Sequence, residues 1–285
     1  MKLFRYGDPE NEKPGVLLMD KMYDVSTFVK DYNEQFFSEN GLAELHNFIY
    51  ANPDLLKILP DNTRLGPAVC RPSKMICIGL NYRDHAIEAK APIPAEPIVF
   101  FKSQTAICGP NDDLVLPRNS KKTDWEVELA VVISKKASYI KQEDAEKFIA
   151  GYILHNDYSE REFQLERGGQ WVKGKSCDTF APLGPYLVTP DELPNVNNLR
   201  MWLKVNGKTM QESSSSQMIF KVPFLIHYLS QFMTLLPGDI ISTGTPHGVG
   251  LGFNPPIYLK EGDRVELGID GLGSSTQKVK SSSYD

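Results

Sequence analysis

In the segment Thr123-Asp124-Trp125-Glu126-Val127-Glu128-Leu129-Ala130-Val131-Val132-Ile133, acidic and apolar residues alternate before a continuous apolar run begins. Because side chains alternate between the two faces of a β-strand, the segment predicts a strand with Asp124, Glu126 and Glu128 on one face. That face continues with alanine and valine, so the strand is expected to run from a polar mouth into a core that is apolar on both sides. Carboxylates aligned at such a mouth repel one another unless a cation neutralises them. The alternative is a half-exposed strand whose polar face meets water.

The rest of the chain extends this β-rich pattern. Short apolar runs rich in Val and Ile, bounded by proline and glycine, recur from residue 70 onward. Helical periodicity is convincing only at 142–150, 159–168 and 223–232, so neither a doubly wound sheet nor a TIM barrel is expected. The polar tail at 274–283 is predicted to be partly ordered. The fold class is therefore predicted to be α+β and β-rich.

The first 70 residues differ in pattern from the remainder. They combine a strand-like run at 2–6 with a helical stretch at 42–49, and they predict a small N-terminal α+β domain, residues 1–70. An apolar run of strand length at 75–80 follows. We expect the main domain to cover residues 71–285.

The composition excludes several classes of partner. The 285 residues are 41% hydrophobic and 24% charged, with a formal net charge of -5, so the chain has no basic field that would attract nucleic acid. No apolar run approaches the roughly 20 residues that span a membrane, and the first residues lack the apolar region of a signal peptide. We therefore expect a cytoplasmic protein. The four cysteines form no C-x-x-C pair and are expected to be reduced, mostly buried thiols: Cys70, Cys77, Cys108 and Cys177.

A further acid would help to complete an oxygen-ligand set for a hard cation such as Mg²⁺ or Mn²⁺. Asp157 stands at the end of a predicted strand at 151–156. Ser159, with Glu162 three residues later, matches a capping box and predicts that a helix begins there. Strand-to-helix corners often carry site residues. An Asp that merely forms the turn is an equally good interpretation of Asp157.

Two pairs of residues have the spacing of neighbours on a helix. Arg161 and Gln164 would share a face near the Asp157 corner and would suit a substrate carboxylate. His85 and Glu88 follow the apolar run at 75–80, and a carboxylate there could orient the imidazole as a base for water. A solvated, charged helix is the alternative for the first pair, and an ordinary surface pair is the alternative for the second.

Two glycine-containing segments remain. Residues 169–176 fit the phosphate-loop pattern G-x-x-x-x-G-K-S, but they follow a predicted helix and not a strand, so we reject that assignment and keep Lys175 as a lone cation near the site. Residues 244–250 form a glycine-rich loop after a short apolar strand. Such a loop lets backbone amides and Thr245 approach a ligand, although a purely structural turn has the same composition.

Taken in order, these motifs resemble the fumarylacetoacetate hydrolase family over roughly residues 70–280. The resemblance rests on a G-x-N-Y-x-x-H-x-x-E segment at 79–88, an E-x-E strand at 126–128, Asp157, Lys175 and a G-T-P-x-G-V-G loop at 244–250. It implies a mixed β-sandwich roll, usually a homodimer. It also implies one Mg²⁺ or Mn²⁺ ion per chain on Glu126, Glu128 and Asp157.

The resemblance implies a small oxo acid as substrate. The catalytic residues would be His85, Glu88 and Lys175. The substrate-binding residues would be Asn81, Tyr82, Arg161, Gln164 and Thr245. Hydrolysis of a carbon–carbon bond in an acylpyruvate-like acid, with release of pyruvate, is the leading hypothesis. The alternatives are an oxaloacetate or other oxo acid decarboxylase, a ureidoglycolate lyase, and a non-catalytic oxo acid binding protein.

Within the family, segments 121–129, 159–164 and 174–180 resemble the subgroup of 2,4-diketo-3-deoxy-L-rhamnonate and fuconate hydrolases, whose relatives are often called ureidoglycolate lyase. The chain departs from the usual pattern at His247, inside the glycine-rich loop, and at the serines of 213–216. Both features are expected to line the substrate end of the site.

Overall fold

The computed structural model describes residues 1–193 and 195–282. Their strands are β1 (Lys2–Tyr6), β2 (Lys13–Leu18), β3 (Lys21–Asp24), β4 (Lys57–Ile58), β5 (Leu65–Gly66), β6 (Met75–Gly79), β7 (Ile98–Lys102), β8 (Ile107–Cys108), β9 (Leu114–Leu116), β10 (Thr123–Asp124), β11 (Val127–Ile133), β12 (Ile149–Asn156), β13 (Ser159–Glu160), β14 (Ala181–Pro182), β15 (Leu187–Val188), β16 (Arg200–Val205), β17 (Lys208–Ser214), β18 (Ile240–Ser242), β19 (Arg264–Ile269) and β20 (Gly273–Ser281).

Helices are few and short. The α-helices are α1 (Glu34–Ser38), α2 (Gly41–Ala51), α3 (Arg83–Glu88), α4 (Val172–Lys175) and α5 (Val222–Ser230). Turns of 3₁₀-helix lie at Pro53–Leu55, Gln104–Ala106, Gln142–Phe148, Pro190–Glu192, Val196–Asn198, Ser215–Gln217 and Gly250–Gly252, and a π-helix lies at Glu162–Glu166. No helix in the described part of the chain is long and apolar enough to cross a bilayer.

Two large sheets organise these elements. The first has the order β4-β3-β2-β1-β15-β12-β11-β18-β6-β7, with β5 also paired to β1, and the second has the order β17-β16-β19-β20-β9. Strand β11 of the first sheet contacts β16 and β19 of the second, and β12 contacts β19. All seven residues of β11 are buried, as the apolar sequence of that strand predicts. The predicted α+β, β-rich class is confirmed.

The first 70 residues share the larger sheet with the rest of the chain. Strand β1 pairs with β15, with Lys2 opposite Val188 and Leu3 opposite Leu187. In addition, a bidentate ion pair joins Arg64 to Asp112. Backbone pairing therefore crosses the expected boundary at residue 70. The division into two domains stays a prediction.

The predicted strand at 123–133 is divided into β10 and β11. The indole of Trp125 is buried and donates a hydrogen bond to the backbone oxygen of Gly248 (3.0 Å), while the amide of Glu126 donates to Oδ1 of Asn156 (2.9 Å). The backbone amide of Trp125 donates to Oδ1 of Asp124 (2.7 Å), so the amides of residues 125 and 126 both bond side chains and not a neighbouring strand. The prediction of one continuous strand is therefore wrong at residues 125 and 126.

The predicted helix start at residue 159 is also wrong. Ser159 and Glu160 form β13, which pairs with β10, and the Ser159 hydroxyl donates to the backbone oxygen of Asp157 (3.0 Å) and does not act as a helix cap. The π-helix at Glu162–Glu166 follows. Such wide turns are rare and are frequently found at functional sites.

The polar tail is better ordered than its composition suggests. Residues Gly273–Ser281 form β20, which lies between β19 and β9, and alternate side chains such as Gln277 and Val279 are buried. The expectation of partial order at 274–283 is therefore wrong for residues 274–281, and residue 283 lies outside the described residues. Serine and threonine suit the outward face of this strand because only every second residue enters the core.

Candidate active site

Three buried carboxylates converge where β11 begins and β12 ends. One oxygen each of Glu126, Glu128 and Asp157 lie within 4.8 Å of one another. Antiparallel pairing of the two strands sets this arrangement, since Glu128 lies opposite His155 and the Asp157 amide donates to the backbone oxygen of Glu126 (2.9 Å). The convergence that the sequence suggested is present, although the segment before β11 is irregular.

Two buried lysines neutralise part of this acidic cluster. Lys175 donates to Oε2 of Glu126 (2.6 Å) and to Oδ2 of Asp157 (2.8 Å), and its ammonium lies over the Phe100 ring. Lys102 donates to Oδ1 of Asp157 (2.5 Å). Lys102 was not predicted from the sequence. The available sequence signal was that a lysine ends the apolar run of β7, because a buried charge at such a position needs a buried partner.

These contacts shift the ionisation of the cluster. Burial alone would raise the pKa of the Asp157 carboxyl, but the charges of Lys102 and Lys175 outweigh burial and hold that pKa below its usual range. Burial alone would lower the pKa of Lys175, but the charges of Asp157 and Glu126 raise it to about 12. Asp157 and Lys175 are therefore both charged at neutral pH.

Glu128 has a different environment. Its Oε2 atom accepts hydrogen bonds from the Ser242 hydroxyl (2.5 Å) and the Gly244 amide (3.1 Å). Burial, and then repulsion by Asp157 and Glu126, raise the pKa of the Glu128 carboxyl well above its usual value. One more positive charge among the three carboxylates would offset this repulsion. An all-oxygen donor set of this kind fits a hard divalent cation such as Mg²⁺ or Mn²⁺.

Arg161 supports the cluster from the start of the π-helix. Its Nε donates to Asp124 (2.8 Å), one terminal nitrogen donates to Glu126 (2.7 Å), and the other donates to Oε1 of Gln164 (3.0 Å). Burial alone would lower the pKa of Arg161, but Asp124 and Glu126 raise it further above its usual value. The guanidinium fork thus binds protein groups in this structure, and its contact with a substrate carboxylate stays a prediction.

A cavity of about 220 Å³ opens beside the carboxylates. Its lining residues are Ile78, Gly79, Leu80, His85, Ile98, Phe100, Glu126, Glu128, Arg161, Gln164, Trp171, Lys175 and Thr245. Gln164 uses its carbonyl oxygen for Arg161, so its amide group is the donor that it can offer to a ligand. The Thr245 hydroxyl donates to the backbone oxygen of Val127 (2.9 Å) and accepts from Gln211 (2.9 Å), so its proton is already committed.

Asn81 and Tyr82 lie outside this lining. The Asn81 amide bonds the backbone of Phe220 and Thr243, and the Tyr82 hydroxyl bonds the sulfur of Met201. Both side chains are wholly buried. Their polar groups join neighbouring loops to the end of β6, and their contact with substrate stays a prediction.

His85 and Glu88 lie on α3, as the spacing predicted. Nδ1 of His85 lies 3.0 Å from Oε2 of Glu88, and Oε1 of Glu88 accepts a hydrogen bond from the Gly248 amide (2.8 Å). Burial alone would raise the pKa of Glu88, but these two hydrogen bonds lower it below its usual value. Glu88 is thus ionised at neutral pH and able to orient the imidazole, which lines the cavity.

The glycine-rich loop binds protein groups with its amides. The Gly248 amide holds Glu88, while the amides of Gly250 and Leu251 hold Asp124 (2.6 and 2.9 Å). Asp124 in turn binds Arg161, in keeping with a supporting role and not that of a ligand. The phosphate-loop assignment stays rejected, because residues 169–176 follow the π-helix and contain only the short α4.

The two departures from the family pattern do not line the cavity. The Ser213 hydroxyl donates to Oδ2 of Asp84 (2.5 Å), and Nε2 of His247 lies 4.0 Å from the same atom. Both residues thereby connect the loop and β17 to α3, which carries His85. The expectation that they line the substrate end of the site is wrong for this structure.

Trp171 and Phe100 form a wall of the cavity that the sequence did not reveal. Their rings pack edge to face with centroids 5.3 Å apart, and the edge of the Trp171 indole occupies the space in which a side chain at Gly79 would lie. Gly79, Phe100 and Trp171 come from three separate parts of the chain. Glycine at the end of a strand was the available signal, since it often marks close approach of another group.

Known proteins resemble this chain along nearly its whole length. A family model described as fumarylacetoacetate (FAA) hydrolase C-terminal matches residues 74–280. A Burkholderia multivorans protein, provisionally named as a hydrolase without a stated substrate, is 50% identical over 282 residues, which are 98% of this chain and 99% of that protein.

Two solved structures share the fold. The fumarylacetoacetate hydrolase of Exiguobacterium antarcticum has 31% sequence identity and a TM-score of 0.85, with 99% of this chain and 100% of that chain covered. The maleylpyruvate hydrolase of Sphingobium sp. SYK-6, solved in complex with a manganese(II) ion and pyruvate, has 28% identity and a TM-score of 0.82, with 99% of both chains covered.

Proposed function

The chain belongs to the fumarylacetoacetate hydrolase family, and from this premise we propose that it is a metal-dependent hydrolase that cleaves a carbon–carbon bond in a 2,4-dioxo acid and releases pyruvate. One Mg²⁺ or Mn²⁺ ion per chain would be held by Glu126, Glu128 and Asp157. The observation that carries the proposal is that this carboxylate cluster and the His85–Glu88 pair face one cavity. A neighbour in fold that was solved with manganese and pyruvate supports the choice of metal and product.

The reaction adds water across one carbon–carbon bond. Water attacks the carbonyl carbon at position 4, the bond between carbons 3 and 4 breaks, and its electron pair stays on carbon 3, which then takes a proton. The products are a carboxylic acid and pyruvate. The bound cation would supply Lewis-acid stabilisation of the negative charge that develops on the oxo acid end.

The residues of the chain have separate tasks. His85 takes the proton of the attacking water, and Glu88 holds the imidazole in the orientation that leaves its other nitrogen for this step. Lys175 fixes the positions of Glu126 and Asp157 and adds positive charge to the cavity. The amide of Gln164 is a donor for an oxygen of the substrate. The apolar wall excludes water from the remainder of the cavity.

The specific substrate proposed is a 2,4-dioxo-3-deoxy sugar acid. Support comes from segments 121–129, 159–164 and 174–180, which resemble that subgroup. Decarboxylation of oxaloacetate is the second candidate, because loss of carbon dioxide leaves the same negative charge beside the carboxylate cluster and needs no activated water. A homodimer is proposed on the family resemblance. Light scattering coupled to size-exclusion chromatography would measure the mass of the assembly.

One substrate panel tests the proposal. Acylpyruvates, a 2,4-dioxo-3-deoxy sugar acid, oxaloacetate and ureidoglycolate are incubated with the protein, and pyruvate, carbon dioxide and urea are measured. We expect pyruvate from the dioxo acids, loss of activity in EDTA and recovery with added Mn²⁺. Full activity in metal-free protein would contradict the proposal. Tight binding of oxo acids without turnover would instead indicate a binding protein.

A further inference from the structure

A hydrogen-bonded chain of three buried side chains leads away from the carboxylate cluster. His155 of β12 lies opposite Glu128 of β11, and its Nδ1 atom is 2.7 Å from the hydroxyl oxygen of Ser242. The Ser242 oxygen is 2.5 Å from Oε2 of Glu128. All three residues are at most 1% exposed. Water therefore cannot substitute freely for any of these contacts.

The donors in this chain follow from what each group can offer. With a cation bound, Glu128 is an ionised carboxylate that only accepts hydrogen bonds, so the single proton of Ser242 is given to Glu128. The Ser242 oxygen can then only accept from His155, which requires the imidazole tautomer with its proton on Nδ1. In the other tautomer, Ser242 would donate to His155 and would present lone pairs to the carboxylate. His155 thus determines whether Ser242 can hold Glu128.

The far side of His155 is consistent with this tautomer. Its Nε2 atom is buried and has no hydrogen-bond partner among residues 1–193 and 195–282. A protonated ring nitrogen in that position would be an unsatisfied buried N–H donor, and such donors are rarer in folded proteins than under-satisfied acceptors. The imidazole therefore directs its one proton towards Ser242.

We propose that His155 is a positioning residue for Glu128 that acts through Ser242 and tightens the binding of a divalent cation. The proposal rests on the metal site of the proposed function. The hydrogen bonds of Ser242 and Gly244 both go to Oε2 of Glu128, so they fix the carboxylate plane and leave Oε1 as the oxygen with free lone pairs. Groups that orient metal ligands in this way commonly control metal affinity.

A matched pair of substitutions separates positioning from simple filling of the core. In His155→Asn, the amide nitrogen can take the place of Nδ1 and donate to Ser242, whereas His155→Leu keeps the bulk and removes the donor. Mn²⁺ is titrated into EDTA-stripped protein, and free Mn²⁺ is followed by electron paramagnetic resonance. We expect His155→Leu to weaken Mn²⁺ binding by about 10–100-fold and His155→Asn to retain most of the wild-type affinity.

Further variants keep the result interpretable. Ser242→Ala should weaken Mn²⁺ binding at least as much as His155→Leu does, because it removes both hydrogen bonds of the chain. The double variant should be no weaker than Ser242→Ala alone, because His155 acts only through Ser242. Ser242→Ala also provides the test of the positioning role if His155→Leu fails to fold. His227→Leu is the control, since His227 also bonds through Nδ1, to Ile140 (2.7 Å), but lies on α5 outside the cavity lining. It should bind Mn²⁺ like the wild type.

The outcomes distinguish this inference from the proposed function. Wild-type affinity in His155→Leu or Ser242→Ala, or equal weakening in His155→Asn and His155→Leu, would overturn the positioning role. Thermal melting in EDTA reports the structural cost of each variant separately from metal affinity. If the wild-type protein itself bound no Mn²⁺, the proposed metal site would fail.

Discussion

The Nζ atom of Lys102 lies 2.5 Å from Oδ1 of Asp157, and both side chains are fully closed to solvent. Lys102 also donates to the backbone oxygen of Tyr158 (3.0 Å), and Lys175 holds the second oxygen of Asp157. The carboxylate is thus fixed on both sides by lysines from β7 and α4. Stability and metal binding are therefore coupled at Asp157. Loss of either lysine would leave its buried negative charge less well neutralised.

Replacing Lys102 with Met should destabilise the protein by about 3–5 kcal/mol, because Asp157 stays buried after losing one of its two cationic partners. Urea unfolding in EDTA measures this change. Lys147→Met is the matched control, since its ion pair with Asp144 is exposed, and it should leave the free energy of unfolding nearly unchanged. Equal effects of the two substitutions would show that the Lys102 pair is not energetically special.

Replacing Glu128 with Gln should weaken Mn²⁺ binding and yet stabilise the metal-free protein. The amide can still accept hydrogen bonds from Ser242 and Gly244, but it removes a charge that burial and the neighbouring acids disfavour. Asp157→Asn should instead weaken both properties, because Lys102 and Lys175 would lose their partner. Thermal melting in EDTA measures the change in stability, and Mn²⁺ titration measures the change in metal affinity. A Glu128→Gln protein less stable than the wild type in EDTA would contradict the expectation.

The same substitution should change how stability depends on pH. A carboxyl whose pKa is raised by folding binds more protons in the native state than in the unfolded state, so its contribution is present below the unfolded pKa and is lost as pH rises through the folded pKa. The metal-free wild type should therefore lose stability from Glu128 as pH rises above about 4.3, the usual pKa of Glu. Over that pH range, the Glu128→Gln protein should lose less stability than the wild type. Parallel pH profiles of the two proteins in EDTA would exclude this linkage.

The sequence predicted those parts of the site that depend on local pattern. Alternation made Glu126 and Glu128 candidates, and a spacing of three placed His85 and Glu88 together on a helix, where the structure has them. Asp157 was ambiguous from pattern alone, because an aspartate at a corner is equally typical of a turn. Only the order of several motifs, read as a family resemblance, supported it as a ligand.

The contacts that were missed all depend on long-range pairing. Lys102 meets Asp157 across 55 positions of sequence, and a lysine at the end of an apolar run does not indicate which acid will face it. Arg161 was expected to be free for substrate because its helical neighbours gave no sign of Asp124. A local pattern predicts which face of an element a side chain occupies, but partner choice is set by the sheet order.

Replacing His85 with Ala should lower the rate of dioxo acid hydrolysis by about 10²–10⁴-fold, because water would lose its general base. Decarboxylation of oxaloacetate, which needs no activated water, should persist if the protein catalyses it. Glu88→Gln should give a smaller loss, since its amide can still face His85. His46→Ala, on α2 beside Tyr50, is the control with unchanged rates. Equal loss of both reactions in His85→Ala would point to a general structural effect.

Replacing Gly79 with Ala should displace Trp171 and raise KM for the substrate about tenfold, in line with the usual cost of about 1–3 kcal/mol for an overpacked site. A Cβ at residue 79 would lie 2.6 Å from Cζ3 of Trp171, which is too close for the ring to stay in place. Kinetics and indole fluorescence follow the change. In a Trp171→Leu background the added methyl group should cost much less, because the ring that it strikes is gone. The same loss in both backgrounds would show that Gly79 acts on the cavity by another route than Trp171.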